Sequence, residues 1–308
     1  MASESTATSL EPRPLGPADY LPLAKPGITA LICLVAVGGF LLADPGSVNL
    51  VRLGELVALG ACASAGAAML NHFLDRDIDR RMKRTRGRPL ADEHVVSGNS
   101  VAAVGLALSA VGVLGAAVLL NPLTGFSIFL GGFTYVVVYT IWLKRRSNWN
   151  IVIGGFAGSA PALAGSAAAV GHWTVGVLAF ALLVFLWTPP HFWSLALLLK
   201  DDFQRANLPM LPRMEDVPYS GKVVVVSAAL LVPAALLIGW SGAITWPILL
   251  TLVTCGVLFV AVTSPLWRTV TPRNARRGFI FSGPYLLLVV LAIVANVALF
   301  RLGVPSGL

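Results

Sequence analysis

LVALGACASAGAAMLNHFLDRDIDRRMKRTRGRPL, residues 56–90, changes character halfway along. Its first fifteen residues are apolar and small. From Asp75 onward come three aspartates, then six Arg/Lys within the nine residues Arg80 to Arg88. The apolar run, extended back to Val51 and forward to Leu74, is long enough to cross a bilayer, which takes about 20 residues. The charge that follows therefore sits at the mouth of a membrane helix.

The whole chain agrees with that reading. Of 308 residues, 56% are hydrophobic and 12% charged, with a mean hydropathy of +0.81. Soluble domains carry about 25% charged residues, so this chain lacks the polar surface a soluble fold needs. Nine segments are long and apolar enough to span: 26–43, 51–74, 100–120, 123–143, 150–170, 174–199, 223–240, 243–263 and 279–299. The expected fold is all-α, a polytopic membrane protein of nine transmembrane helices. Pro189-Pro190 predicts a kink in the sixth span. Gly and Ala in the fifth predict close helix packing. Cys33, Cys62 and Cys255 each lie in an apolar run and read as small buried residues.

Residues 1–25 are polar and Pro-rich and read as a flexible cytoplasmic tail; 26–300 form the membrane domain; 301–308 are a short external C-terminus. The tail has neither the apolar core of a signal peptide nor the Arg-rich, acid-poor makeup of a transit peptide, which favours a bacterial plasma membrane. Lys and Arg collect after spans two, four, six and eight, at Arg80–Arg88, Lys144–Arg146, Lys200–Lys222 and Arg268–Arg277. The loops after spans one, three, five and seven have none. The positive-inside rule then puts the N-terminus in the cytoplasm and, after nine spans, the C-terminus outside. The net charge of +8 is thus a topology signal and not a nucleic-acid footprint.

Orientation needs no aspartate. Asn71, Asp75 and Asp79 are spaced i, i+4, i+8, at about 0°, 40° and 80° around a helix, so they share one face. Two carboxylates on one face repel unless a cation lies between them. Carboxylate and amide oxygens are hard ligands that suit Mg²⁺, which typically takes one or two carboxylates and completes its shell with water and phosphate oxygens. Lys83, Arg84, Arg86 and Arg88 can then meet phosphate charge, the arginines bidentately. A helix end with mutually paired surface charges would show the same spacing. His72 falls near Asp79 on the wheel and can face the same cavity. In the sixth span His191 lies among Trp187, Phe192 and Trp193, and an ionisable residue inside a membrane is a functional candidate. Asp202 is eleven residues on, about three turns, and on the same face if the helix continues; it is the candidate fourth metal ligand. A histidine bonded to a carbonyl freed by the prolines is the structural alternative. Lys144 and Arg145 are further candidates for diphosphate, with Tyr139 and Tyr135 lining the cavity or anchoring the interface.

Together with N-x-x-x-D-x-x-x-D at 71–79, the strings RMKRTRGRPL (81–90), YTIWLKRRSNWNIVIGGFAGSAPALAG (139–165), FLWTPPHFWSLAL (185–197) and LPMLP (208–212) closely resemble the protohaem IX farnesyltransferase family of the UbiA-like intramembrane prenyltransferases. The resemblance covers about residues 26–300. It implies nine helices around a central cavity open to the cytoplasmic side, Mg²⁺ bound between two acidic regions, and farnesyl diphosphate and haem b as substrates. The implied product is haem O, handed to a membrane partner in haem A synthesis. Quinone-type members of the superfamily carry a second D-x-x-x-D motif. Here that region offers Asp201 and Asp202, with Leu198 where another acid would stand. This argues against a quinone-precursor substrate and thins the ligand set for a second ion. Prenyl transfer to another aromatic acceptor, or cation-coupled transport, would use parts of the same pattern.

Overall fold

A computed structural model describes residues 15–91, 98–209 and 217–306. Among these, nine helical segments are long and apolar enough to span a membrane. The chain is an all-α, multi-pass membrane protein. A short helix α1 (Pro17–Leu23) precedes α2 (Pro26–Ala43), α3 (Leu50–Arg81), α4 (Asn99–Leu119) and α5 (Pro122–Phe133). The fifth span is divided at Gly155 into α6 (Asn150–Gly154) and α7 (Phe156–Val170). Then come α8 (Val175–Leu198), the short α9 (Lys200–Arg205), and a seventh span divided into α10 (Val217–Ala229) and α11 (Leu231–Trp240). The last two are α12 (Trp246–Thr263) and α13 (Pro272–Arg301).

Four features depart from the sequence reading, each for a physical reason. First, α3 runs seven residues past Leu74, to Arg81. It can carry Asp75, Asp77 and Asp79 beyond the apolar run because each meets a cation from elsewhere in the fold. Second, α5 continues as a π-helix over Thr134–Leu143, with Lys144 N–H bonding Tyr139 C=O five residues back at 2.8 Å. π-helical turns concentrate at functional sites. Third, the seventh span is divided, while α8 stays helical through Pro189-Pro190 to Leu198. The break is at Leu230, three residues before Pro233, whose missing N–H leaves the Ala229 carbonyl without its donor four residues on. Fourth, part of the expected tail is ordered as α1. Leu23 is fully buried in a cluster with Met69, Leu90 and Val101. Residues 1–14 of that tail, and 307–308 of the expected external C-terminus, lie outside the described residues.

Small residues set the helix spacing. A Cβ on Gly39 of α2 would lie 2.2 Å from the Ala162 carbonyl oxygen of α7, and one on Gly165 of α7 equally close to that of Ala36. The expected tight packing of the fifth span is thus backbone against backbone. The main core lies where α2, α7, α8, α12 and α13 meet, around Phe40, Phe180, Phe259 and Tyr285. Beside it is a cavity of about 730 Å³ walled by α2, α3, α5, α7 and α8.

Candidate active site

The charged end of α3 forms one wall of this cavity. Asn71, His72, Asp75 and Asp79 are all buried, at 1–3% exposure, and all line it. Asn71 Nδ2 donates to Asp75 Oδ2 at 2.7 Å and to Thr140 Oγ1 at 2.9 Å. Lys144 Nζ meets the same Asp75 oxygen at 2.5 Å. Asp75 Oδ1 is buried with no hydrogen-bond partner among the described residues. Arg88 Nη1 contacts both oxygens of Asp79, at 2.9 and 2.8 Å. His72 Nδ1 is 3.9 Å from Asp79, and neither ring nitrogen of His72 has a hydrogen-bond partner among the described residues.

Sequence reasoning passed over Lys25. Its Nζ donates to Asn71 Oδ1 at 2.6 Å and to Tyr135 Oη at 2.9 Å. Its backbone is left-handed, φ 48°, a conformation that costs free energy for a residue with a Cβ and that collects at functional sites. Burial first, then the nearby Arg88 and Lys144 charges, lower its pKa to about 7. The only sequence signal was a lysine directly before Pro26 and the first span, which looks like any topology-setting charge.

Three cationic side chains therefore occupy the oxygens of Asn71, Asp75 and Asp79. The tyrosines lie beside them: Tyr135 and Tyr139 are stacked at 6.1 Å, and the Lys25 and Lys144 ammonium groups lie 5.7 and 5.9 Å from their ring centroids. Tyr139 is held from behind by Gly154, where a Cβ would come within 2.7 Å of the ring.

Other expected members are elsewhere. Asp202 does not join the carboxylates of α3. It accepts from the backbone N–H groups of Lys83 and Arg84 at 3.2 and 3.1 Å and pairs with Arg205. Burial works against its ionisation, but the hydrogen bonds from Arg205, Arg84 and Lys83 hold its pKa below the usual carboxylate range. The physical reason for the misplacement is that helical phase is lost at Leu199, where α8 ends and α9 begins. Among the described residues no group of three or more His, Cys, Asp or Glu is placed to hold a metal. Of the basic run, Arg84 and Arg88 line the cavity, while Lys83 and Arg86 are exposed and do not. Arg145 is bidentate to Asp77 at 2.7 and 2.6 Å on the exposed face of α3.

The opposite wall is aromatic. His191 stacks on Trp187 at 4.5 Å and leans on Phe279 at 5.1 Å. Its Nδ1 is 2.5 Å from Ser282 Oγ. Ser282 donates its one hydroxyl hydrogen to the Phe279 carbonyl at 2.6 Å, so Ser282 Oγ accepts from His191 Nδ1–H. His191 Nε2 is then the lone-pair nitrogen. Trp187 Nε1 donates to the Ser282 carbonyl at 2.9 Å. Ser282 and Phe279, which fix this tautomer, come from α13 and carry no local sequence signal. The capping of a proline-freed carbonyl, weighed from sequence, is not the contact observed.

A profile of the UbiA prenyltransferase family matches residues 31–283. The chain is 42% identical over 280 residues to the protoheme IX farnesyltransferase of Sulfurisphaera tokodaii, covering 90% of this chain and 92% of that one. It is 38% identical over 286 residues to protoheme IX farnesyltransferase 1 of Paramagnetospirillum magneticum, covering 90% and 98%. Its fold is similar to that of a digeranylgeranylglyceryl phosphate synthase, with a TM-score of 0.73 at 16% identity over 91% of this chain and 98% of that one. It is also similar to a UbiA homolog from Archaeoglobus fulgidus bound to GPP and Mg²⁺, with a TM-score of 0.64 at 16% identity over 90% and 99%.

Proposed function

This chain belongs to the UbiA prenyltransferase family, with the protoheme IX farnesyltransferases as its relatives, and from that premise we propose how its cavity works. The protein is an enzyme that transfers the farnesyl group of farnesyl diphosphate to a vinyl group of haem b, with addition of water, giving haem O and diphosphate. The observation that carries the reading is a single cavity joining the Asn71–Asp75–Asp79 face to the Trp187–His191 wall. One end suits a diphosphate and the other a flat, iron-bearing ring.

The residues present fit a divalent cation. Asp75 Oδ1 is an orphaned buried oxygen, and the remaining oxygens of the face are neutralised only by movable Lys and Arg side chains. Asn71, Asp75 and Asp79 would hold Mg²⁺, which supplies charge stabilisation for the leaving diphosphate when bound. With Asp202 used elsewhere, the rest of the shell falls to water and phosphate oxygens, as Mg²⁺ ordinarily has it. Lys144 and Arg88, released from the carboxylates, turn to the diphosphate together with Lys25 and Arg84, which line the same cavity.

In the reaction the C1–O bond of farnesyl diphosphate breaks, the terminal vinyl carbon bonds to C1, and a water oxygen bonds to the other vinyl carbon and loses a proton. The Tyr135, Tyr139 and Trp187 faces stabilise positive charge at C1. The apolar walls limit water until the carbon–carbon bond has formed. His191 serves the haem side: its Nε2 lone pair is suited to the haem iron or to the proton of the added water, and either use would hold the haem close to Trp187.

The basic loops lie in the cytoplasm of a prokaryotic plasma membrane, so the N-terminus is cytoplasmic and the cavity rim opens to that side. This rests on the positive-inside bias. Haem O released into the membrane suits a membrane-bound partner in haem A synthesis. The test is incubation of purified protein with Mg²⁺, farnesyl diphosphate and haem b. Haem O should appear by mass, and its absence with folded protein overturns the reading.

A further inference from the structure

The cavity is deeper than farnesyl. Along α3 its wall runs from Asp79 through Asp75, Ala67 and Gly60 to Leu56. At 1.5 Å per residue, Gly60 lies about 22 Å and Leu56 about 28 Å from the level of Asp75. Three of the other walls, though not α8, which lines the cavity only as far as Val184, end at a matching depth: the last lining residues are Ala36 of α2, Ser127 of α5 and Ala164 of α7. Each lies within about 11 Å of its helix's far end by the same rise. Ser127 is fixed there by Trp173, whose Nε1 donates to Ser127 Oγ at 3.2 Å.

A farnesyl chain spans eleven bonds from C1, about 14 Å at roughly 1.3 Å per bond projected from carbon–carbon bonds near 1.5 Å. Allowing about 5 Å for the metal–oxygen shell and phosphorus between Asp75 and C1, its tip stops near 19 Å, short of Gly60. A chain of four isoprene units ends near 24 Å, beside Gly60 and short of Leu56, by the same bond length.

Gly60 itself points the same way. Gly66 and Gly112 are glycines because a neighbouring backbone comes within 3 Å of where a Cβ would be. Among the described residues a Cβ on Gly60 would meet nothing within 4 Å, although glycine is a poorer helix former than alanine. No packing contact requires glycine here, and the space it leaves is cavity.

Resting on the prenyl diphosphate reading above, we propose that this site accepts a four-unit prenyl diphosphate as well as farnesyl diphosphate. Gly60 is the residue that leaves room for the fourth unit. The test is titration of wild type and of Gly60→Phe and Gly60→Leu with the thiolo analogues of farnesyl and geranylgeranyl diphosphate, in Mg²⁺, on monodisperse protein. Wild type should bind the geranylgeranyl analogue at least as tightly as the farnesyl one. The ratio of the two affinities should fall at least ten-fold in Gly60→Phe, and in the same direction in Gly60→Leu, which keeps the test alive if the bulkier variant does not fold. Wild type binding the longer analogue ten-fold more weakly, or a ratio unchanged in the folded variants, overturns the inference. Turnover is read separately: intact binding with no prenylated haem from either natural diphosphate would sink the functional reading and leave the chain-length inference standing.

Discussion

Asp75 is where the site's contacts converge. One of its oxygens receives Asn71 and Lys144, and the other is buried and unpartnered among the described residues. Asp75→Asn and Asp79→Asn should each cut turnover by at least ~100-fold, the scale of losing a transition-state electrostatic partner. Near wild-type rates in both, at matched protein levels, would remove the metal-site assignment. Lys25→Ala should weaken farnesyl diphosphate binding at least ~10-fold, as loss of a charge-assisted contact would, with haem affinity unchanged in titration. His191→Ala should do the reverse, keeping diphosphate affinity and abolishing haem O formation. Loss of both ligands together would instead mark a structural histidine. The α3 ladder was legible because four-residue spacing is a local property of a helix. Lys25 and Ser282 were not, since the chain must fold before Lys25 reaches Asn71, 46 residues away, or Ser282 reaches His191, 91 residues away.

The loop after α3 shows how an element can resemble a ligand set from sequence. Asp202 caps the backbone N–H groups of Lys83 and Arg84, while Thr85 Oγ1 donates to the Asp79 carbonyl. Together these contacts fold the segment back so that Arg88 returns to Asp79. Asp202→Asn should therefore raise KM for farnesyl diphosphate and lower the thermal midpoint by a few degrees, with the Mg²⁺ concentration for half-activation unchanged. A shifted Mg²⁺ requirement would restore Asp202 as a ligand. The pH dependence has a definite sign. The folded-state pKa of Asp202 is depressed, so its contribution is present above the unfolded value of ~3.9 and is lost as pH falls through the folded one. The stability gap between wild type and Asp202→Asn should hold constant above pH ~4 and close below it.

At the scale of the whole molecule, the span count was legible and the interruptions were not. A bilayer imposes a minimum apolar length that any helix must meet, so each of the nine segments announced itself. The π-helical turn after Phe133 and the divided fifth and seventh spans depend on how neighbouring helices re-satisfy the backbone, which hydropathy does not record. The same count carries the proposed orientation of the ends. Asp75, Lys144 and Arg84 meet at one cavity, so the loops after spans two and four lie on one side of the bundle. With nine spans among the described residues, the proposed arrangement has the two termini on opposite sides. The basic bias of these loops supports the proposal that their side is the cytoplasm. A reporter fused after Leu308 should consequently be active only when it requires an extracytoplasmic location, and one fused before α1 only in the cytoplasm. If both fusions report the same side, a span has been miscounted. If both are reversed, the charge argument fails, and the diphosphate would have to enter from outside.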